Sequence, residues 1–186
     1  RGTLILGGEA AATGVYDVVL DPEAAASLVE SAGELFLASA VFKNRSMLKN
    51  RMGDKIGSDC LTLADDGTIP WGVGTSPWDG EGGPSVRTVL MDHGVVSSFL
   101  YNLKYARKFK VASTGNASRS PGSIPEVGCS NLFVVPGERS PRQILKDCSG
   151  GILVTELMGV HTIDPVSGDL SLGVKGALIG PTGQPG

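Results

Sequence analysis

The fold is decided by three adjoining pieces of sequence. They are Ser85-Val86-Arg87-Thr88-Val89-Leu90-Met91, then Asp92-His93-Gly94, then Val95-Val96-Ser97-Ser98-Phe99-Leu100-Tyr101. Two β-prone runs around a short polar turn ending in glycine read as a β-hairpin, with Gly94 in the left-handed position of a three-residue loop. Upstream, Leu61-Thr62-Leu63 is strand-like and runs into Asp65-Asp66-Gly67, read as plain turn chemistry. Downstream, residues 102–110 predict a short helix, and 131–135, 152–158 and 170–179 predict strands. Ser140-Pro141-Arg142-Gln143 has capping-box form and opens a helix to about Cys148. Asp164-Pro165-Val166-Ser167-Gly168 is a turn, and 180–186 are turn formers.

Toward the N-terminus, residues 14–20 predict a strand. Asp21-Pro22-Glu23 then supplies a cap, a first-position proline and an acid at the positive end of a helix. Apolar residues at Ala25, Leu28, Val29, Ala32, Leu35, Phe36 and Ala40 extend one amphipathic helix over Pro22 to Phe42. Lys43, Arg45, Lys49, Arg51 and Lys55 follow, either as an anion or partner patch or as a solvated short helix capped by Ser46 and stopped at Gly53. The sum is α+β: a largely antiparallel β-sheet, an N-terminal amphipathic helix and short helices between hairpins. No repeat or break in composition divides it, so residues 1–186 read as a single domain.

With 186 residues, the chain suits one domain of ~100–200 residues. Its 41% hydrophobic and 19% charged residues exclude a disordered tail, and 27 glycines point to many turns. Net charge of −3 argues against a nucleic-acid partner, and no apolar run reaches the 18 residues or so of a membrane span. Cys60, Cys129 and Cys148 are odd in number and widely spaced, which fits small buried residues in a reducing cytoplasm rather than a disulfide framework. The chain starts at Arg1 rather than Met, so its natural beginning is expected further upstream.

No phosphate-binding glycine loop and no nucleophile elbow is present. His93 sits in the hairpin turn and His161 between two strands, and both read as ordinary loop residues. The long loop 72–84 carries Trp78, Asp79 and Glu81 and follows Trp71. Loops of this length with aromatics and acids are often functional. Asp79 and Glu81 either bind a cation or amine, act as acid and base, or simply shape the loop.

Seven segments in order then carry a resemblance. They are Gly14-Val15-Tyr16-Asp17-Val18-Val19-Leu20-Asp21-Pro22-Glu23; Asn44-Arg45-Ser46-Met47-Leu48 with Met52-Gly53-Asp54-Lys55-Ile56; Ser76-Pro77-Trp78-Asp79-Gly80-Glu81-Gly82; Ser113-Thr114-Gly115-Asn116-Ala117; Asn131-Leu132 with Pro136-Gly137; Gly151-Ile152-Leu153-Val154-Thr155-Glu156-Leu157-Met158-Gly159; and Ser167-Gly168-Asp169-Leu170-Ser171. Together they resemble the C-terminal region of the TldD/PmbA family, often labelled "modulator of DNA gyrase", over almost the whole chain. The resemblance implies a cytoplasmic zinc peptidase of two related subunits that acts on unfolded peptides and peptide precursors. It also implies an N-terminal domain ahead of Arg1 and more strands after Gly186. In that family the TldD subunit carries H-E-x-x-x-H on a helix, and the PmbA (TldE) subunit lacks it.

Aligned on that motif, this chain reads Val29-Glu30-Ser31-Ala32-Gly33-Glu34. Val29 and Glu34 replace the two histidines. Valine offers no lone pair, and Glu30 is a base without a metal-bound water. The cysteine that completes the catalytic subunit's set has no counterpart up to Gly186, and 151–159 reads more like PmbA. The resemblance therefore implies a PmbA-type subunit with no catalytic residue, no metal ligand and no cofactor of its own, zinc being expected only in a TldD-like partner. Trp78, Asp79, Glu81, Thr114, Gly115 and Asn116 are the candidates for a peptide cleft or partner contact. The expected partners are a TldD-like subunit or a second copy as homodimer, and a peptide held by strand addition. Two alternatives stand beside this reading. One is a self-sufficient metal-dependent peptidase using Glu30, Glu34, Asp79 or Glu81, and the other is a purely structural assembly domain.

Overall fold

The structure, a computed structural model, describes residues 8–185. Gly186, read above with the last turn, lies outside the described residues. In chain order the elements are β1 (Val18–Leu20), α1 (Pro22–Gly33), α2 (Ala38–Phe42), β2 (Leu63–Asp66), β3 (Arg87–Asp92), β4 (Val95–Val96), α3 (Leu103–Phe109), β5 (Ala117–Ser118), β6 (Glu126–Val127), β7 (Leu132–Val134), α4 (Pro141–Asp147), β8 (Ile152–Met158) and β9 (Gly173–Leu178). The α+β expectation holds: every strand pairing but β1 with β8 is antiparallel. No helix is long and apolar enough to cross a membrane among the described residues.

The chain divides into two compact units. Among the described residues, the first comprises 8–28, 137–163 and 170–185. Its sheet runs β1-β8-β9, with Val18 opposite Ile152 in the parallel pair. Asp21 caps α1 by accepting from the Glu23 and Ala24 amides, as its place before Pro22 predicts. Ser140 forms the predicted capping box with Gln143 at the start of α4.

The second unit, residues 29–136 with 164–169, holds the larger core. Its sheet runs β4-β3-β2-β7, and β5 and β6 pair separately. Phe36, Leu48, Leu63, Leu90, Leu100 and Tyr105 belong to one buried cluster. Phe42 stacks edge-on against Tyr105 and Phe109, joining α2 to α3.

Four sequence expectations are corrected here. The helix predicted over 22–42 is interrupted. It tightens at Glu34–Phe36, and Leu37 is extended (φ −72°, ψ 122°) in a parallel bridge to Leu100. Ala38 N–H donates to the Leu100 carbonyl and Leu100 N–H to that of Phe36. Tertiary pairing outbids helical propensity at a buried position. Residues 47–50 form turns rather than a helix; Ser46 instead accepts from the Leu48 amide and donates to the Leu35 carbonyl. Asp65 and Asp66 are not a turn but the end of β2, both buried. The cysteines are not buried either: Cys60 and Cys129 are exposed and Cys148 is half-buried, all free.

The deciding hairpin is present, with a shorter turn than predicted. Asp92 pairs with Val95, so the loop is His93-Gly94 alone, with φ of 45° and 78°. Two consecutive positive φ values define the type I′ turn that matches strand twist. A Cβ on Gly94 would overlap the Gly57 carbonyl. Gly94→Ala is therefore expected to lower stability by more than about 1 kcal/mol in urea titrations of the chain, and an unchanged midpoint would contradict this account of the turn.

Candidate functional site

A cleft of about 260 Å³ opens in the second unit. Its walls come from the loop 74–85, the segment 115–118 and the segment 128–130. Trp78, Asp79, Gly115 and Asn116, four of the six residues predicted for a cleft, line it together. Glu81 and Thr114 do not line it; they brace the elements behind it.

The loop wall is organised by Asp79. Its Oδ1 accepts from the amides of Glu81 (3.0 Å) and Gly83 (2.8 Å), and its Oδ2 accepts from the Ala117 amide (3.1 Å). A carboxylate that accepts several backbone N–H groups folds a loop around itself. Gly80 N–H donates to the Ala117 carbonyl at 2.7 Å, tying the loop to β5. Glu81 Oε2 accepts from the Leu103 amide at 2.8 Å, at the start of α3, where a negative group complements the exposed N–H groups. Trp78 stands at the rim, 60% exposed.

The second wall is fixed by Thr114, Gly115 and Asn116. Thr114 Oγ1 accepts from the Tyr101 amide (2.8 Å) and donates to Asn116 Oδ1 (2.7 Å). Gly115 has φ of 67°, and a Cβ there would overlap the Pro84 carbonyl, so this position requires glycine. Asn116 is buried. Its Nδ2 donates to Asp65 Oδ2 at 2.7 Å and to the Gly128 carbonyl at 3.2 Å.

Asp65 was missed in the sequence because Asp-Asp-Gly is ordinary turn chemistry. It lies fully buried behind the cleft, and its Oδ1 accepts from the Ser130 amide at 2.8 Å. Burial pushes its pKa up, bonds from Asn116 and Ser130 oppose that, and the neighbouring Asp66 adds to it. Among the described residues no cation forms an ion pair with it. Ser130 and Cys129 were missed as well, and nothing in their local sequence marks them. The Cys129 thiol is pushed up to about 12, first by burial and then by the charges of Asp65, Glu34 and Glu30. Although the residue has exposed surface, its sulfur lies against the protein: a Cβ on Gly33 would stand 3.3 Å from Sγ.

The degenerate motif falls where the helix tightens, with Val29 and Glu30 in α1 and Glu34 just beyond. These residues do not fit zinc. Val29 has no donor atom, and no three His, Cys, Asp or Glu side chains are grouped for a metal among the described residues. Asp79 and Glu81 already accept backbone N–H groups, at opposite ends of a short turn.

The fold and the order of these segments match known proteins. A family model, the PmbA/TldA metallopeptidase C-terminal domain, covers residues 13–185. The chain belongs to the PmbA/TldD metallopeptidase family. A protein of Methanocaldococcus jannaschii named as a metalloprotease is 31% identical over 155 residues, 83% of this chain and 34% of the relative. A Thermotoga maritima structure described as a modulator of a DNA gyrase superposes with a TM-score of 0.88 at 32% identity, over 97% of this chain and 41% of that one. TldE from Thermococcus kodakarensis superposes with a TM-score of 0.78 at 27% identity, over 90% of this chain and 38% of that one. The chain thus spans between 34% and 41% of the length of these relatives.

The buried carboxylate has a pH signature. Its folded pKa is raised above the ordinary 3.8, so between the two values the folded state holds more proton than the unfolded state. The stability it contributes is full below the unfolded pKa and is lost as pH rises through the folded one. The stability of the wild type minus that of Asp65→Asn, from urea titrations between about pH 3.5 and 7, is expected to decline with rising pH. A flat or rising difference would refute the raised pKa.

Proposed function

We propose that this chain is the C-terminal domain of a catalytically silent, PmbA-type subunit in a cytoplasmic two-subunit zinc peptidase. In this reading a TldD-like partner supplies the zinc, and this subunit helps to hold an unfolded peptide or peptide precursor. The observation that carries it is the pair Val29 and Glu34 at the positions of the motif histidines. With one donor missing outright, the tetrahedral set that zinc requires is not available from this helix. The likeness to a protein named TldE supports the assignment of subunit type.

The cleft supplies what a binding subunit needs. Trp78 offers an exposed apolar face at the rim, and the hydroxyls of Ser76, Ser85 and Ser118 line the interior. An aromatic anchor beside small polar groups suits an extended backbone with little side-chain selectivity. Asp79, with its oxygens committed to backbone amides, orders the wall and is not free to act as acid or base. Bond cleavage would fall to the partner's metal, which supplies the activated water when bound.

The test uses the full-length parent protein, purified without chelators, alone and with a histidine-bearing sister subunit. Metal analysis of the protein alone is expected to find no stoichiometric zinc. Hydrolysis of an unfolded peptide is expected only from the pair, and Trp78→Ala in the pair is expected to raise KM about tenfold with kcat little changed. One tightly bound zinc per chain with peptidase activity in the lone subunit would overturn the reading.

A further inference from the structure

Asp65 poses a problem that stability alone does not solve. It is fully buried, yet the charge that acts on it is that of Asp66 and the thiol it acts on is Cys129, with no cation in ion-pair contact among the described residues. A buried carboxylate without a counter-charge is costly, and an apolar side chain is often the more stable occupant of such a place. What the carboxylate has that no apolar residue has is two acceptor oxygens in one plane. One takes the Ser130 amide, from the 128–130 wall. The other takes Asn116 Nδ2, from the 115–118 wall. Asparagine in its place would turn one of those acceptors into a donor facing the Asn116 amide.

Of the two segments, 128–130 leads into β7, a ladder neighbour of β2, while 115–118 is in no ladder with the four-stranded sheet. Wall 115–118 meets wall 128–130 through the short β5–β6 pair, through Gly128 N–H to the Asn116 carbonyl, and through Asn116 Nδ2 to the Gly128 carbonyl. Asp65, anchored in β2, holds both walls to the four-stranded sheet.

We infer that Asp65 is the positioning residue of the cleft: its carboxylate seats the joined walls 115–118 and 128–130 on β2, and so fixes the surface that an extended peptide lies against, facing the 74–85 loop. This rests on the peptide-binding reading above. Asp65 touches no substrate; it acts through Asn116 and Ser130. Its cost in stability is the counterpart of a seat on β2 for the 115–118 wall that no backbone ladder provides.

The experiment uses the full-length parent protein and fluorescein-labelled β-casein, a chain without a stable fold, as probe. Asp65→Asn keeps the volume and breaks one contact. It is expected to speed hydrogen exchange roughly tenfold in peptides spanning 113–118 and 126–131, to leave those spanning 152–178 unchanged, and to weaken casein binding about tenfold by anisotropy. A merely structural role would speed exchange throughout. Should Asp65→Asn fail to fold, Asn116→Ser removes the bond to Asp65 together with those to Gly128 and Thr114, and is expected to act in the same direction, mainly at 113–118. Unchanged exchange at both walls overturns the inference. So does faster exchange with undiminished casein binding, when Ser118→Trp, which fills the cleft, abolishes that binding. Casein binding that survives Ser118→Trp overturns the peptide reading instead, while the exchange data still decide whether Asp65 holds the walls.

Discussion

A single carboxylate ties together two segments that lie far along the chain from it. Asp65 reaches Asn116, 51 residues on, and Ser130, 65 residues on. Closing loops of that length costs chain entropy that grows only slowly with length, so a few strong contacts at their bases suffice to hold them. The next residue repeats the pattern: Asn131 Nδ2 donates to the Asp66 carbonyl, and its Oδ1 accepts from Gly74 N–H. Strand β2 is thus the hub to which three separate loops are pinned, and the cleft exists because they converge there.

What was legible in the sequence is what local chemistry determines. The capping box at Ser140 and the cap at Asp21 satisfy orphan amides within a few residues. Strand β8 matches its predicted bounds because an apolar run bordered by Gly151 and Gly159 has little else to become. What was illegible depends on residues far along the chain. Leu37 leaves the helix because Leu100 offers it a strand partner. Asp65 reads as a turn until Asn116 and Ser130 are placed around it. In the hairpin, Gly94 was foreseen at positive φ, but His93 joins it there because a two-residue loop fits the twist better than three.

The candidate site divides along the same line. Trp78, Asp79 and Glu81 were visible because a long glycine-rich loop with aromatics and acids stands out by composition, and Thr114, Gly115 and Asn116 became candidates through the family resemblance. Glu81 and Thr114 face the scaffold, since neither composition nor a segment match says which side of a loop a residue takes. Ser130 and Cys129 carry no such mark. The family was readable from seven ordered segments. Gly33, at the end of α1, sits where a Cβ would stand 2.5 Å from Leu132 Cδ2, so the leucine side chain would have to turn aside for any larger residue.

The setting of Cys129 has a chemical corollary. A thiol pushed up to about 12 is, at pH 7, ionised in on the order of one molecule in 10⁵. Disulfide exchange, alkylation and peroxide attack all proceed through the thiolate. Burial first, and then the charges of Asp65, Glu34 and Glu30, thus keep this sulfur in its unreactive thiol form although its residue lines an open cleft.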